Sequence, residues 1–393
     1  MRPIPFFLVP ALLGVLGLFG CSGAEPTEPI CGGAAWPTDD WSEPCTDDPA
    51  LDPVLLEQMR AFAFEPGRHT QGVVVIHRGR LVAEWYSDDR DATSRATSWS
   101  MAKSYTSALV GIAIDEGLID GVHVSLAEYY PEWAGTDKEA ITLADVLSMA
   151  SGLGWVEDYN GMTSHIAEIS WSPNALDVPL STDVVAPPGT LFNYSSGDTM
   201  LLSGVLETAT GMSAGDYAHE KLFDPIGMDG AEWWQDGAGQ TLTFCCIDAT
   251  PRDFAKFGYL YLNDGEWDGR QVVPADWVDA STSGTVNPGY GYQWWVGGLP
   301  TANAEEGVVP VAGAPDDLFT AIGMDHQYTY VIPSLDLVVV RNAVYNKSPE
   351  GTVAEDGFVF EIMAGGLGEY GTQATSDWDS AAFLAPLLDA LQP

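Results

Sequence analysis

Strand-like segments lie near both ends of this chain, and a long stretch with helical patterns separates them. Residues 72–76 and 81–86 are rich in β-branched and aromatic residues, and the four residues between them suit a hairpin. Strand-like runs return only at 290–296, 318–324, 327–332 and 337–344. One sheet must therefore be assembled from distant segments, with the middle of the chain inserted into it.

The inserted stretch reads mainly as helices and loops. Apolar periodicity and flanking Gly and Pro residues predict helices at 143–149, 198–210, 213–222 and 251–262, and two outer helices at 55–64 and 381–391. The fold class is therefore predicted to be α+β (an α/β sandwich), an antiparallel sheet flanked by helices plus an inserted, mainly helical domain. Residues 51–124 and 251–393 would form the sandwich domain, and residues 125–250 the helical domain.

The first twenty residues have the pattern of an export signal. Arg2 supplies the positive start, and the apolar run at 6–19 is too short to span a bilayer comfortably. Cys21 follows Leu-Phe-Gly, which resembles the bacterial lipobox and predicts lipidation of that cysteine. An ordinary secretory signal is the alternative. The sequence thus predicts a signal peptide at 1–20 and an exported protein anchored by lipid to the cell envelope.

Residues 21–50 contain Pro, Glu, Asp and Gly with little periodicity, which predicts a lipid-anchored tether and folded structure from about Leu51 onwards. The exported compartment permits disulfides, and a Cys31–Cys45 bridge would staple this segment. The adjacent Cys245 and Cys246 are expected to stay reduced and buried, because neighbouring cysteines are unusual bonding partners.

The charge of the chain limits its partners. The formal net charge is −41, from 56 acidic and 15 basic residues. Nucleic-acid binding is excluded, because phosphate contacts need clustered Lys and Arg. The acidic surface suits either a high-salt environment or solubility alone.

A Ser-x-x-K motif, Ser100 to Lys103, stands at the start of an apolar segment that predicts a buried helix ending at Gly117. One helical turn separates the two side chains, so the hydroxyl and the amine can lie within hydrogen-bonding reach. An amine in that position can take the serine proton and make the hydroxyl a nucleophile. The alternative is a helix start with a solvated lysine.

Tyr194 is the candidate partner for this pair. It lies in a Phe-Asn-Tyr-Ser-Ser-Gly-Asp loop just before the helix at 198–210, so its phenol is available to relay a proton. The alternative is a half-buried packing tyrosine.

These motifs together resemble the serine β-lactamase and penicillin-binding-protein superfamily, in its class C, esterase and 6-aminohexanoate-dimer hydrolase branch. Further matching stretches are Leu-Ser-Met-Ala-Ser-Gly-Leu at 147–153, Pro-Gly-Thr at 188–190, Thr-Pro-Arg-Asp-Phe-Ala-Lys-Phe-Gly at 250–258 and Gly-Tyr-Gln-Trp-Trp at 291–295. The resemblance implies a β-lactamase/transpeptidase-like fold with Ser100 as nucleophile, Lys103 as its base or orienting group, and Tyr194 as proton donor to the leaving group.

The chain departs from the class C pattern in two places. Ser196 stands where those β-lactamases have asparagine, and Ala-Ile-Gly at 321–323 replaces their Lys-Thr-Gly. Both changes resemble the 6-aminohexanoate-dimer hydrolase branch. That resemblance implies an oxyanion hole of the Ser100 and Ile322 backbone amides, and substrate contacts from Tyr159, Ser196 and Gly323.

The predicted function is therefore a serine hydrolase that cleaves a small-molecule amide or ester through an acyl-enzyme on Ser100. The alternatives are a β-lactamase or D,D-peptidase and, from another class, a non-catalytic binding or sensory protein with the same fold. The sequence has no metal-ligand spacing and no nucleotide-binding motif, so we expect neither a metal nor a cofactor.

Overall fold

A six-stranded antiparallel sheet forms the centre of the protein in a computed structural model, which describes residues 36–42, 44–45, 51–159, 163–300, 307–343 and 378–391. Its strands are β1 (Thr70–His77), β2 (Arg80–Tyr86), β8 (Trp295–Val296), β11 (Phe319–Gly323), β12 (Gln327–Ile332) and β13 (Leu337–Ala343), in the order β2-β1-β13-β12-β11-β8. The sheet thus joins the two ends of the chain, and the predicted α+β fold class is confirmed.

Smaller strands lie outside this sheet. They are β3 (Ala96–Thr97), β4 (Glu232–Trp233), β5 (Ile247–Ala249), β6 (Glu266–Trp267), β7 (Arg270–Gln271), β9 (Leu299–Pro300) and β10 (Val308–Val309). Because β5 pairs with both β3 and β4, this small sheet fixes the segment just before Ser100 against the segment just after the two adjacent cysteines.

The helices surround the central sheet and fill the middle of the chain. They are α1 (Pro53–Ala63), α2 (Ala102–Asp115), α3 (Leu143–Leu147), α4 (His165–Trp171), α5 (Asp177–Ser181), α6 (Ser196–Thr210), α7 (Ala214–Ala218), α8 (Asp224–Ile226), α9 (Pro251–Leu262), α10 (Ala275–Ser281) and α11 (Ser380–Leu391). Helices α3 to α8 lie within residues 125–250, the predicted helical domain, and the boundaries of that domain stay a prediction.

Both faces of the central sheet are covered, which explains why β1 is buried along its whole length. Side chains alternate between the two faces of a strand. Val73 and Val75 therefore face one core, shared with Phe383 of α11, while Val74 and Ile76 face the other core, shared with the helices that follow Ser100. Buried on both sides, the sheet is a rigid platform for the end of β11.

The expectation that folded structure begins near Leu51 is wrong. Trp41 is buried, and the Trp36 ring packs against Trp267 of β6. Asp40 also forms an ion pair with Arg252 on α9. Large aromatic side chains cover apolar surface of the folded body here, so the predicted tether at 21–50 is not a tether throughout.

The predicted strand at 290–296 is also shorter than expected. Only Trp295–Val296 pairs with β11, because Gln293 adopts a left-handed φ of 66° and its amide donates to the carbonyl of Leu147. A residue with that backbone conformation cannot continue a strand.

Candidate active site

A tight turn presents Ser100 at the start of α2. Trp99 has a left-handed φ of 47°, which is uncommon for a residue with a side chain and marks backbone strain beside the candidate nucleophile. The amide of Ser98 donates to the Ile247 carbonyl at 2.8 Å, and the Ser98 hydroxyl accepts from the Ile247 amide at 2.8 Å. The Cys246 amide also donates to the Trp99 carbonyl. Three hydrogen bonds thus hold the turn in place.

Lys103 lies one helical turn beyond Ser100, and its side chain is only 1% exposed. Its Nζ is 3.1 Å from Ser100 Oγ, 3.1 Å from Ser196 Oγ and 2.8 Å from the Phe244 carbonyl oxygen. In the described part of the chain no carboxylate forms an ion pair with this amine. Burial lowers the pKa of Lys103 from 10.5 to about 8, although the nearby charge of Glu157 opposes that shift. A neutral amine is therefore accessible at mildly alkaline pH.

Tyr194 is the third side chain beside the Ser100 hydroxyl. Its phenol hydrogen-bonds to Ser100, and its ring stacks on Trp295 with centroids 5.8 Å apart. Burial raises the pKa of Tyr194 well above its usual value of 10, the charge of Glu157 adds to the rise, and the hydrogen bond with Ser100 opposes it. The phenol thus keeps its proton and can act as a donor, whereas the amine of Lys103 can act as an acceptor.

The sequence brings Tyr194 here through the start of α6. Ser195 is the N-cap of that helix, where its hydroxyl accepts from the Asp198 amide at 2.9 Å. The cap sets the direction of the chain before and after it, so that Tyr194 faces Ser100 and Ser196 faces Lys103. The three residues predicted to do the chemistry are therefore brought together.

Ser196 was predicted to contact substrate, but its hydroxyl lies between two protein groups. It is 1% exposed, accepts from Lys103, and donates to Glu157 Oε1 at 2.6 Å. Tyr159, also predicted to contact substrate, donates its phenol proton to the same Glu157 oxygen at 2.6 Å. The side-chain hydrogen bonds of both residues thus join Glu157, and their role in substrate binding stays a prediction.

Glu157 is the residue of this site that the sequence reasoning missed. The available signal was its spacing, because Trp155, Glu157 and Tyr159 occupy alternate positions and so share one side of an extended segment. The Trp155 indole donates to Glu157 Oε2, and the Ser196 amide donates to the same oxygen at 2.9 Å. The loop is thereby tied to the start of α6.

The end of β11 forms one wall beside Ser100. A Cβ atom added to Gly323 would lie 2.1 Å from the Ser98 carbonyl oxygen, so only glycine permits this approach. The carbonyl of Leu318, just before β11, accepts from the Gly297 amide and so points towards β8. Along a strand, the backbone N–H and C=O groups of every second residue point to the same side, which takes this direction from Leu318 to Thr320 and Ile322. The Ile322 amide therefore points to that side, beyond Thr320, where pairing with β8 ends. This direction suits an oxyanion donor, the role predicted for Ile322 and Ser100.

The expectation that Cys245 and Cys246 stay reduced is wrong, because the two form a disulfide bond. The bond lies next to the Phe244 carbonyl that accepts from Lys103. Cys45 is also disulfide-bonded, but its predicted partner Cys31 lies outside the described residues, as does the lipidation candidate Cys21.

The chain is similar to known proteins over most of its length. A family model described as Beta-lactamase matches residues 56–362. The chain is 25% identical over 297 residues to 6-aminohexanoate-dimer hydrolase of Paenarthrobacter ureafaciens, covering 69% of this chain and 72% of that protein. It is 27% identical over 198 residues to the esterase/beta-lactamase LipL of Mycobacterium tuberculosis, covering 46% of this chain and 43% of that protein.

The fold has solved counterparts. The crystal structure of a family VIII carboxylesterase aligns with a TM-score of 0.57 at 17% identity, covering 82% of this chain and 98% of that one. The family model spans well over half of the chain, and both named relatives are described as hydrolases or esterases. The chain therefore belongs to the β-lactamase family and is a serine hydrolase.

Proposed function

We propose that this protein hydrolyses amide or ester bonds of small molecules through an acyl-enzyme on Ser100. The observation that carries the proposal is that the Ser100 hydroxyl contacts both a buried amine, 3.1 Å away on Lys103, and the phenol of Tyr194. A hydroxyl placed between a base and an acid can attack a carbonyl and then expel a poor leaving group.

The proton balance assigns each group a step. Neutral Lys103 takes the Ser100 proton as Oγ bonds to the substrate carbonyl carbon, and the Ser100 and Ile322 amides hold the resulting oxyanion. Tyr194 gives its proton to the leaving nitrogen or oxygen as the scissile bond breaks, and then recovers a proton from the Lys103 ammonium. Water next attacks the acyl-enzyme, and the same groups return Ser100 to its starting state.

A β-lactamase or D,D-peptidase remains the alternative within the family. Class C β-lactamases have a lysine, in their Lys-Thr-Gly motif, that can bind a substrate carboxylate. Here that position holds Ala321, which is buried and carries no charge. Ile322, next to it, packs against the aromatic cluster around Tyr194. An apolar wall favours an uncharged substrate segment, and the similarity to a 6-aminohexanoate-dimer hydrolase supports the amidase choice.

A fluorophosphonate probe tests the nucleophile without knowledge of the substrate. We expect wild-type protein to be labelled and Ser100→Ala to be unlabelled, because the probe bonds only to an activated hydroxyl. Ser107→Ala is the matched control, since the Ser107 hydroxyl lies on the same helix and has no hydrogen-bond partner among the described residues. Equal labelling of wild type and Ser100→Ala contradicts the proposal.

Substrate trials then separate the alternatives. Hydrolysis of p-nitrophenyl butyrate that is lost in Ser100→Ala supports the enzyme, whereas ligand binding without turnover supports a sensory protein. Faster turnover of a 6-aminohexanoate dimer than of nitrocefin supports the amidase, and the reverse order supports a β-lactamase.

We also propose that the protein is exported and held at the cell envelope by lipid on Cys21. The support is the Arg2 start, the apolar run at 6–19 and the lipobox-like position of Cys21. The disulfide between Cys245 and Cys246 adds to it, because such bonds persist in oxidising compartments. Detergent partitioning of the wild type, lost in Cys21→Ala, is the expected result. Equal partitioning of both proteins contradicts the anchor.

A further inference from the structure

Glu157 has a complete set of hydrogen-bond donors around its carboxylate. Oε1 accepts from the Ser196 and Tyr159 hydroxyls, each at 2.6 Å. Oε2 accepts from the Ser196 amide at 2.9 Å and from the Trp155 indole. An ionised carboxylate is an acceptor only, and here both oxygens are occupied by protein donors. This leaves Glu157 with no open position for a positively charged substrate group.

The direction of the proton on Ser196 follows from this arrangement. Because the Ser196 hydroxyl donates to Glu157, only its lone pairs are left for Lys103. Lys103 must therefore donate to Ser196, and it must also donate to the Phe244 carbonyl, which can only accept. A neutral amine has two hydrogens, and both are used. Its lone pair is left facing the third neighbour, Ser100 Oγ.

We propose that Glu157 is a positioning residue that acts through Ser196 to aim the lone pair of Lys103 at the Ser100 hydroxyl. This inference rests on the proposed function of Ser100 and Lys103. It extends that function by naming the group that orients the base. Without the negative charge at Glu157, the Ser196 hydroxyl is free to turn and donate to Lys103, which occupies the lone pair that Ser100 requires.

Glu157 also affects how readily Lys103 is protonated. Its negative charge raises the pKa of Lys103, in opposition to the larger effect of burial. The other titratable groups around this cluster are three phenols with raised pKa values, a buried carboxyl and an imidazole that stacks on Trp155. They are Tyr159, Tyr194, Tyr290, Asp198 and His165. The neighbouring cysteines are joined in a disulfide.

Glu157→Gln is the direct test. In the variant, the oxygen of the new side-chain amide must face the Trp155 indole and the Ser196 backbone amide, because both of these groups donate. The NH₂ group then faces the Ser196 hydroxyl and donates to it, which reverses the hydrogen bond that this hydroxyl makes in the wild type. The readout is the rate of fluorophosphonate labelling across pH. We expect the plateau rate to fall at least about tenfold. We also expect the midpoint of the acid limb to move down by about one pH unit, because an anion that favoured the protonated amine has been removed.

Two controls separate positioning from general damage. Glu157→Asp keeps the charge, and its midpoint should stay near the wild-type value even where its rate is reduced. Glu168→Gln makes the same change at an exposed carboxylate on α4 and should leave both quantities unchanged. A Glu157→Gln protein that is labelled at the wild-type plateau rate overturns the inference.

Ser196→Ala keeps the inference testable if Glu157→Gln does not fold. Removing the connecting hydroxyl should slow labelling at least about tenfold without lowering the midpoint, because the charge on Glu157 remains. Labelling at the wild-type rate overturns the inference. Loss of labelling in Ser100→Ala is required by the proposed function alone, so the failure of that function and the failure of this inference are distinguishable.

Discussion

Two buried lysines in this protein have different surroundings, and the difference explains why one of them is suited to chemistry. Lys256 on α9 is 2% exposed, donates to the Gly227 carbonyl and lies 3.6 Å from Asp253 Oδ1. Lys103 is 1% exposed and also donates to a carbonyl, that of Phe244, but its other two partners are hydroxyls. A carboxylate in an ion pair stabilises a buried ammonium, whereas burial without an ion pair favours the neutral amine.

Exchanging each lysine for methionine gives the largest contrast. Lys103→Met removes the base and should reduce turnover of p-nitrophenyl butyrate by about 10³-fold. Lys256→Met should keep turnover within about threefold, but leaves Asp253 without its cation and should lower the free energy of unfolding by about 2 kcal/mol. Turnover assays and urea unfolding measure the two effects. Similar turnover in both variants would break the comparison.

Tyr194→Phe tests the acid that works with Lys103. An amide nitrogen must be protonated to leave, so hydrolysis of a 6-aminohexanoate dimer should fall about 100-fold. p-Nitrophenolate leaves without a proton, so turnover of p-nitrophenyl butyrate should fall less than about tenfold. Steady-state rates on the two substrates give the ratio, and equal losses would remove Tyr194 from the leaving-group step.

The pH dependence of stability sharpens the contrast further. The pKa of Lys103 is about 8 in the folded protein and 10.5 as its ordinary value. Between these values the unfolded chain binds a proton that the folded protein lacks, so the contribution of Lys103 to stability rises with pH. Lys103→Met should therefore be more stable than wild type at pH 7. The difference between their free energies of unfolding should shrink by about 3 kcal/mol by pH 10.5. A constant gap in urea unfolding across this range contradicts the lowered pKa.

Replacing Cys245 and Cys246 together by serine should have the smallest effect. The disulfide lies beside the Phe244 carbonyl, which holds one hydrogen of Lys103. Losing the bond loosens one of three contacts and leaves the other two, so we expect labelling to slow by about two- to fivefold, on the scale of one net hydrogen bond. No change in labelling rate would show that the chain alone fixes this carbonyl.

The sequence predicted the parts of the site that depend on short-range spacing. Ser100 and Lys103 are one helical turn apart, and Tyr194 immediately precedes a capped helix, so motif and helix period were sufficient. Glu157 was missed, because its role depends on a loop that returns to the start of a helix almost forty residues later. Such a contact is invisible to local patterns.

The fold was predictable for a similar reason. The prediction for β12 matches its observed bounds, and the prediction for β1 is short by two residues at its start and one at its end. The strand predicted at 290–296 is too long, because the tertiary contact of Gln293 overrides the local propensity. The low periodicity of residues 21–50 predicts a tether, whereas the large aromatic side chains of Trp36 and Trp41 pack against the folded body.

Direct titration of Lys103 is the most decisive measurement. The chain has five lysines, so ¹³Cε-lysine labelling gives a simple spectrum, and the Lys103 signal is the one lost in Lys103→Met. The account predicts that this signal titrates with a midpoint of about 8. A signal that stays in its protonated position until pH rises to about 10.5, the ordinary lysine value, would contradict a neutral amine as the base for Ser100.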